Sequence, residues 1–205
     1  TRKIIESAPE LKIISRTGVG YDNIDLQAAS DHNVIVCNLP GINAISVAEH
    51  TMAFILTLAK KLPQMDGYVR SGMWSKRSDN SSVEIRGKTL GIIGLGQIGF
   101  KVMKMAQGLG MVTLASDPFV QERFAGETAF AVSLEELFEV SDFITIHVPS
   151  FSQNRHLVNE SLIGRMKRSA YLINTSRGEL IEEKALISAL EQNKISGAAL
   201  DVFEN

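Results

Sequence analysis

The sequence predicts an α/β fold built on a doubly wound parallel sheet, and three observations carry that expectation. From Lys88 onward, short apolar runs rich in β-branched residues alternate with segments of helical periodicity. A glycine cluster, Gly94-Leu95-Gly96-Gln97-Ile98-Gly99, sits between the first of those runs and the helix that follows. The runs are apolar nearly throughout, as strands covered on both faces must be.

The strands expected in order are Leu90–Gly94, Val112–Ser116, Phe130–Val132, Phe143–Val148, Tyr171–Asn174 and Ala198–Val202. A helix running to Leu109 follows the glycines. Ser133 with Glu136 forms a capping box ahead of Leu137-Phe138, Asn159 is placed to cap Leu162–Met166, and a further helix spans Glu183–Gln192. Upstream, a long apolar helix covers residues 44–61, after Pro40-Gly41 and stopped by Pro63. Residues 1–40 hold two short strands, Lys12–Ser15 and Val34–Cys37, with a helix between them. Ser78–Ser82 is polar enough for a loop.

Bulk properties narrow the function classes. The 205 residues are 44% hydrophobic with a net charge of -2, enough to form a core and too balanced to favour nucleic acid or an anionic membrane as partner. The stretch from Ala44 to Ala59 is interrupted by Ser46, Glu49 and His50, leaving it short of the roughly twenty apolar residues a bilayer span needs. No signal peptide is visible, and the single cysteine, Cys37, excludes an internal disulfide. A reducing, cytoplasmic setting is expected, with Cys37 a small buried apolar residue and no metal site. Thr1 is not an initiator methionine, and an apolar strand stands almost at the other end. A fragment of a larger protein is therefore expected.

The glycine cluster fits G-x-G-x-x-G in the context the motif requires, after a strand and opening a helix. Gly94 permits the tight turn, Gly96 lets the backbone approach a pyrophosphate, and Gly99 lets helix and strand pack closely. The helix N-terminus offers N–H groups and a partial positive charge to the phosphates. The second strand ends at Ser116-Asp117, about twenty residues on, where a carboxylate can accept from both ribose hydroxyls. The same carboxylate repels a 2′-phosphate, so NAD is expected over NADP.

Ligands of open α/β sheets bind beyond the carboxyl ends of the strands. That edge carries His147-Val148-Pro149, Asn174-Thr175-Ser176-Arg177-Gly178 and Asp201. Arg177 reads either as a guanidinium clamp for a carboxylate or as an exposed strand-end arginine, and position alone leaves both open. Hydride exchange with a ketone also needs a proton donor titrating near neutrality. His32, His50 and His156 make no strong claim to that role, and His147 reads as a packed wall residue.

These residues resemble the D-isomer-specific 2-hydroxyacid dehydrogenases, and most closely the phosphoglycerate dehydrogenase-like members. The likeness covers nearly the whole chain and rests on Gly18–Asp25 (GVGYDNID), Asn38–Gly41 (NLPG), Val47–Thr51 (VAEHT), Gly87–Gly94 (GKTLGIIG), Asn174–Gly178 (NTSRG) and Ala199–Phe203 (ALDVF). It implies a Rossmann-type NAD-binding domain over residues 41–205, including an interdomain helix at 44–61, and a remnant of a flavodoxin-like substrate domain over residues 1–40. By likeness, Arg177 is the catalytic arginine that holds the substrate carboxylate and 2-oxygen, and backbone N–H groups of Val19 and Gly20 bind the same carboxylate. Cofactor contacts are implied for Gln97, Ile98, Asp117, Val148, Thr175, Ser176 and Asp201, with Arg16 a weaker substrate candidate.

The family's glutamate and histidine would fall after Asn205, so only one of three catalytic groups lies in these residues, and NAD binding with little or no turnover is expected of them alone. The resemblance further implies a homodimer formed through the helix at 44–61, and a small 2-hydroxy or 2-oxo acid as substrate, such as 3-phosphoglycerate, glyoxylate/hydroxypyruvate or a lactate-like acid. Two alternatives share the scaffold: an NAD(H)-sensing corepressor-type binding protein, and a formate- or phosphite-type dehydrogenase.

Overall fold

Short apolar runs flanked by capping residues organise the chain into two compact units, Thr1–Ser46 and Val47–Asn205, in the computed structural model. The structure describes residues 1–79, 81–118 and 130–204.

In the first unit the order is α1 (Arg2–Glu6), β1 (Ile13–Ser15), α2 (Leu26–Asp31) and β2 (Ile35–Cys37). Asp25 starts α2 by accepting the Ala28 N–H at 2.8 Å. The strands run parallel, pairing Ile13 with Ile35 and Ser15 with Cys37. Ile14 and Val36 pack with Ile5, Ala28, Ala29 and Val34. The alternate positions point the other way, so Ile13 and Ile35 are 53% and 62% exposed. Cys37, expected to be buried, is exposed as well. The period of two decides this: a two-stranded ribbon has one covered face within the unit, and Cys37 lies on the opposite one.

Helix α3 (Ala44–Lys60) leads into the second unit and buries Ala48, Met52, Ile55 and Ala59, spaced three and four residues apart along one stripe. The expected stop at Pro63 becomes a restart. Lys61 adopts a left-handed conformation (φ 51°), and α4 (Leu62–Arg70) begins with Pro63 in its first turn. Proline is tolerated there because the first-turn N–H has no intrahelical acceptor to lose. A 3₁₀ helix follows at Trp74–Asp79, overlapping the start of the expected loop at 78–82. Asn80, within that stretch, lies outside the described residues.

The sheet of the second unit contains β3 (Thr89–Ile93), β4 (Val112–Ser116), β5 (Phe130–Ala131), β6 (Phe143–Ile146), β7 (Tyr171–Asn174) and β8 (Gly197–Leu200). Every pairing is parallel, and the order is β5-β4-β3-β6-β7-β8. Counted along the unit this is 3-2-1-4-5-6, the doubly wound arrangement, with the change of direction between β3 and β6.

Helices α5 (Gln97–Gly108), α6 (Leu134–Val140), α7 (Glu160–Ile163) and α8 (Glu183–Glu191) complete the layers among the described residues. Ser133 caps α6 by accepting from Glu136 N–H at 3.1 Å, and Asn159 caps α7 by accepting from Leu162 N–H at 3.2 Å. Strand alternation divides the core in two. Leu90, Ile92, Phe143, Tyr171 and Ile173 join α3 and α5 on one face, while Ile93, Ile144, Ile146 and Leu172 join α6, α7 and α8 on the other. No described helix is long and apolar enough to cross a membrane.

Candidate functional site: the carboxyl edge of the sheet

In doubly wound sheets ligands bind beyond the carboxyl ends of the strands where the order changes direction, here between β3 and β6, and the glycine turn follows β3 at that end. Gly94 has φ +87°, and a Cβ on it would stand 2.6 Å from Val148 Cγ1 and 2.8 Å from the His147 carbonyl oxygen. Only glycine satisfies both the left-handed backbone and that approach. The turn is pinned on both sides, with Gly94 N–H donating to the Ser116 carbonyl at 3.0 Å and His147 N–H to the Ile93 carbonyl at 2.7 Å.

The other two glycines divide the remaining roles. A Cβ on Gly99 would lie 2.1 Å from the Gly94 carbonyl oxygen, so α5 packs against the turn at a distance no side chain allows. At Gly96 a Cβ would meet nothing within 4 Å, which leaves open space over the backbone where a phosphate must approach. Gly96 is the N-cap of α5 and supplies no side-chain cap, so Gln97 and Ile98 stand in a first turn whose N–H groups have no side-chain partner from the cap. The residues therefore fit a dinucleotide pyrophosphate.

Asp117 follows β4 and its Oδ2 accepts the Leu95 N–H at 2.7 Å. This bond ties the carboxylate to the glycine turn and sets its orientation. A carboxylate has about four acceptor sites, so this backbone bond alone does not fill them.

Beyond β7, Asn174 shapes the next loop, a role the residue pattern alone did not single out. Its buried side chain accepts from Ser176 N–H at 3.0 Å and donates to the Arg177 carbonyl at 2.8 Å. An asparagine at a strand end is a turn-former of this kind, and that signal was available. Ser176 Oγ donates to the Ile146 carbonyl at 2.7 Å, tying the loop to the end of β6. Thr175 Oγ1 lies 3.1 Å from Thr51 Oγ1 on α3. The Thr51 proton goes to the Val47 carbonyl at 2.9 Å, so Thr175 is the donor between the two hydroxyls. Arg177 is partly buried, with Nη1 donating to the Ser176 carbonyl at 2.7 Å. Beyond β8, Asp201 N–H donates to the Asn174 carbonyl at 3.0 Å, and the Asp201 carboxylate lies 3.5 Å from His50 Nε2.

His147 behaves as a wall residue. Its Nε2 pairs with Thr145 Oγ1 at 3.0 Å, while Nδ1 is buried without a hydrogen-bond partner. Burial pushes its pKa down to about 3, because the desolvated imidazolium is the costlier form. A ring held neutral at physiological pH is no proton donor to a substrate. His156 is bonded to Glu204 at 3.0 Å, and His32 to the Ala28 carbonyl at 3.0 Å on α2.

The carboxyl edge thus gathers Gly94, Gly96, Gln97, Ile98, Gly99, Asp117, Val148, Thr175, Ser176, Arg177 and Asp201 around one side of the second unit. Val19 and Gly20 belong to the first unit, where their carbonyls accept from Asn38 Nδ2 and Arg16 Nε, each at 2.8 Å. Those bonds fix the peptide planes of the loop and commit Arg16 Nε to it. In the second unit, a depression of about 500 Å³ lined by Ile163, Met166, Arg168 and Asn193 lies ahead of β7 and β8, at the amino end of the strands and away from their carboxyl edge.

Known proteins agree with this geometry. The model of the D-isomer specific 2-hydroxyacid dehydrogenase NAD binding domain matches residues 52–205. The D-3-phosphoglycerate dehydrogenase of Methanocaldococcus jannaschii is 44% identical over 206 residues, covering 100% of this chain and 39% of that protein. The glyoxylate reductase of Korarchaeum cryptofilum is 40% identical, covering 98% of this chain and 62% of that protein. Among solved structures, the D-lactate dehydrogenase of Aquifex aeolicus, complexed with NAD and lactic acid, superposes with a TM-score of 0.93 at 38% identity, covering 100% of this chain and 62% of that one. The chain thus spans between 39% and 62% of these proteins' lengths, but a family match over residues 52–205 takes in the glycine turn, the strands of the sheet and the carboxylate described above. The chain belongs to the D-isomer-specific 2-hydroxyacid dehydrogenase family, carries its NAD-binding domain and takes NAD as cofactor.

Proposed function

We propose that this chain serves an NAD-dependent oxidoreductase that moves a hydride between nicotinamide and C2 of a D-2-hydroxy acid or its 2-oxo acid, of the 3-phosphoglycerate or glyoxylate/hydroxypyruvate type. The observation that carries the reading is the position of Arg177. It follows β7 on the edge where the glycine turn follows β3, in a loop braced by Asn174 and Ser176. A planar guanidinium there binds a carboxylate through two parallel bonds and faces the adjacent 2-oxygen. As hydride reaches C2 the oxygen gains negative charge, and a fixed cation stabilises that charge more than it stabilises the ground state.

In this reading the α5 N-terminus holds the pyrophosphate, Asp117 the adenosine ribose, Val148 the adenine side, and Thr175, Ser176 and Asp201 the nicotinamide end. The nicotinamide, when bound, would supply the hydride acceptor for oxidation or the hydride donor for reduction. N–H groups of Val19 and Gly20, in the first unit, are the other candidates that the family likeness gives for the substrate carboxylate. The proton is exchanged by the glutamate–histidine pair that the family likeness implies, since His147 is held neutral by burial.

A homodimer formed through the helix at 44–61, as the family likeness implies, belongs to the same reading. Directly after that helix, α4 has no buried residue, and Leu62, Val69 and Trp74 are 51%, 59% and 54% exposed, an apolar surface that would extend such an interface. Sedimentation of the wild type against Val69→Asp/Trp74→Asp tests it.

The catalytic reading is tested by grafting these 205 residues into the matching segment of the Methanocaldococcus jannaschii relative. The chimera should catalyse NAD-linked oxidation of 3-phosphoglycerate. Arg177→Ala in it should lower kcat by about 10²- to 10³-fold, as removal of a transition-state donor does, while NAD affinity stays near wild type. Undiminished turnover by Arg177→Ala would overturn the assignment.

A further inference from the structure

Helix α3 reaches the carboxyl edge with two adjacent polar side chains. Thr51 is fully buried and accepts from the Thr175 hydroxyl, with the two oxygens 3.1 Å apart. His50, its neighbour, places Nε2 3.5 Å from Asp201 Oδ1. The imidazole is braced in turn by Phe54, one helical turn on, with ring centroids 4.2 Å apart and planes tilted by 57°. The helix itself cannot drift, since Ala48, Met52, Ile55 and Ala59 are locked in the core below. Two neighbouring residues of one rigid helix therefore contact the residues that follow β7 and β8, both assigned above to the nicotinamide end of the cofactor.

We propose that His50 is a positioning residue: through Asp201, and beside the Thr51–Thr175 pair, it orients the groups that receive the nicotinamide carboxamide. The proposal rests on the reading of Asp201 as a nicotinamide contact. Asp201 has few other restraints on its side chain. Its backbone is tied to Asn174, but the carboxylate is 53% exposed, and an exposed acid samples several rotamers unless a partner selects one. Selecting that rotamer before the cofactor arrives removes an ordering cost from binding. The gain is modest because His50 is itself 46% exposed, and exposed pairs contribute little.

ADP-ribose separates this role from a general structural one, because it carries the adenosine, pyrophosphate and second ribose of NAD without the nicotinamide. Calorimetry with NAD and with ADP-ribose is run on the 205-residue chain and on His50→Ala, His50→Gln and Asp201→Ala. His50→Ala should weaken NAD by about two- to fivefold, the range an exposed side-chain pair supports, and leave ADP-ribose unchanged. His50→Gln, which keeps a donor near Asp201, should recover most of the loss. Equal weakening of both ligands by His50→Ala, or no change in NAD, overturns the proposal while leaving the Asp201 reading intact if Asp201→Ala weakens NAD alone. Asp201→Ala that fails to distinguish the two ligands overturns the Asp201 reading and the proposal with it.

Discussion

Replacing His147 by glutamine should flatten the acid side of the stability curve. In the folded chain burial holds the imidazole neutral, with a pKa of about 3, whereas an unfolded histidine titrates near 6.5. The sign follows from proton counting. As pH falls through about 6.5 the unfolded state gains a proton that the folded state refuses, so stability is full above that value and is lost on the way down to about 3. Each pH unit inside the window costs about 1.4 kcal/mol, which gives a loss of about 2 kcal/mol between about pH 7 and about pH 5. The lower limit of that range lies well above the folded pKa, so the folded ring stays neutral across it. Carboxylates titrate in wild type and variant alike, and the difference between them isolates the histidine. Urea unfolding of both proteins across this range measures it. His147→Gln keeps a polar side chain beside Thr145 Oγ1 and should lack the 2 kcal/mol component; an unchanged acid slope would refute the assignment of a buried neutral ring.

Two further outcomes follow from local geometry. Gly99→Ala places a Cβ 2.1 Å from the Gly94 carbonyl oxygen, so the α5 N-terminus must move away from the turn; a stability loss of about 1–3 kcal/mol is expected from such overpacking, with NAD affinity falling further than stability alone requires, and retained NAD binding in calorimetry would count against the phosphate site. Ser133→Ala removes the acceptor for the Glu136 N–H and should cost about 1 kcal/mol in urea unfolding, leaving NAD affinity untouched because α6 lies outside the glycine turn.

Backbone requirements were the most legible part of the chain. β4 and β7 run over the expected residues, Val112–Ser116 and Tyr171–Asn174, since each is an apolar run bounded by turn-formers. The other strands shifted or shortened at their ends. β6 stops at Ile146, although His147-Val148 continues the apolar run, because there the chain turns against Gly94. The three glycines were readable in the same way, since a left-handed turn and a close helix crossing admit almost no other residue.

What escaped is what local pattern does not encode. Pro63 reads equally as a stop or as a first-turn residue, and only the left-handed Lys61 makes it the latter. Cys37 is exposed because its ribbon has two strands, a count that its own apolar neighbours do not reveal. The Thr51–Thr175 contact joins residues separated by 124 positions, and the His50–Asp201 pair is as remote in sequence. Such pairings exist only once α3 has been set against the sheet. For the same reason the Asp117–Leu95 bond, which turns an expected ribose acceptor into a brace for the glycine turn as well, was not apparent from spacing.

The most direct test of the cofactor site is calorimetric titration of the 205-residue chain and of Asp117→Ala with NAD and with NADP. The wild type should prefer NAD by at least about tenfold, because in the proposed reading the Asp117 carboxylate meets the 2′-phosphate as a like charge, and Asp117→Ala should lose most of that preference. Equal affinity of the wild type for both dinucleotides would contradict the account.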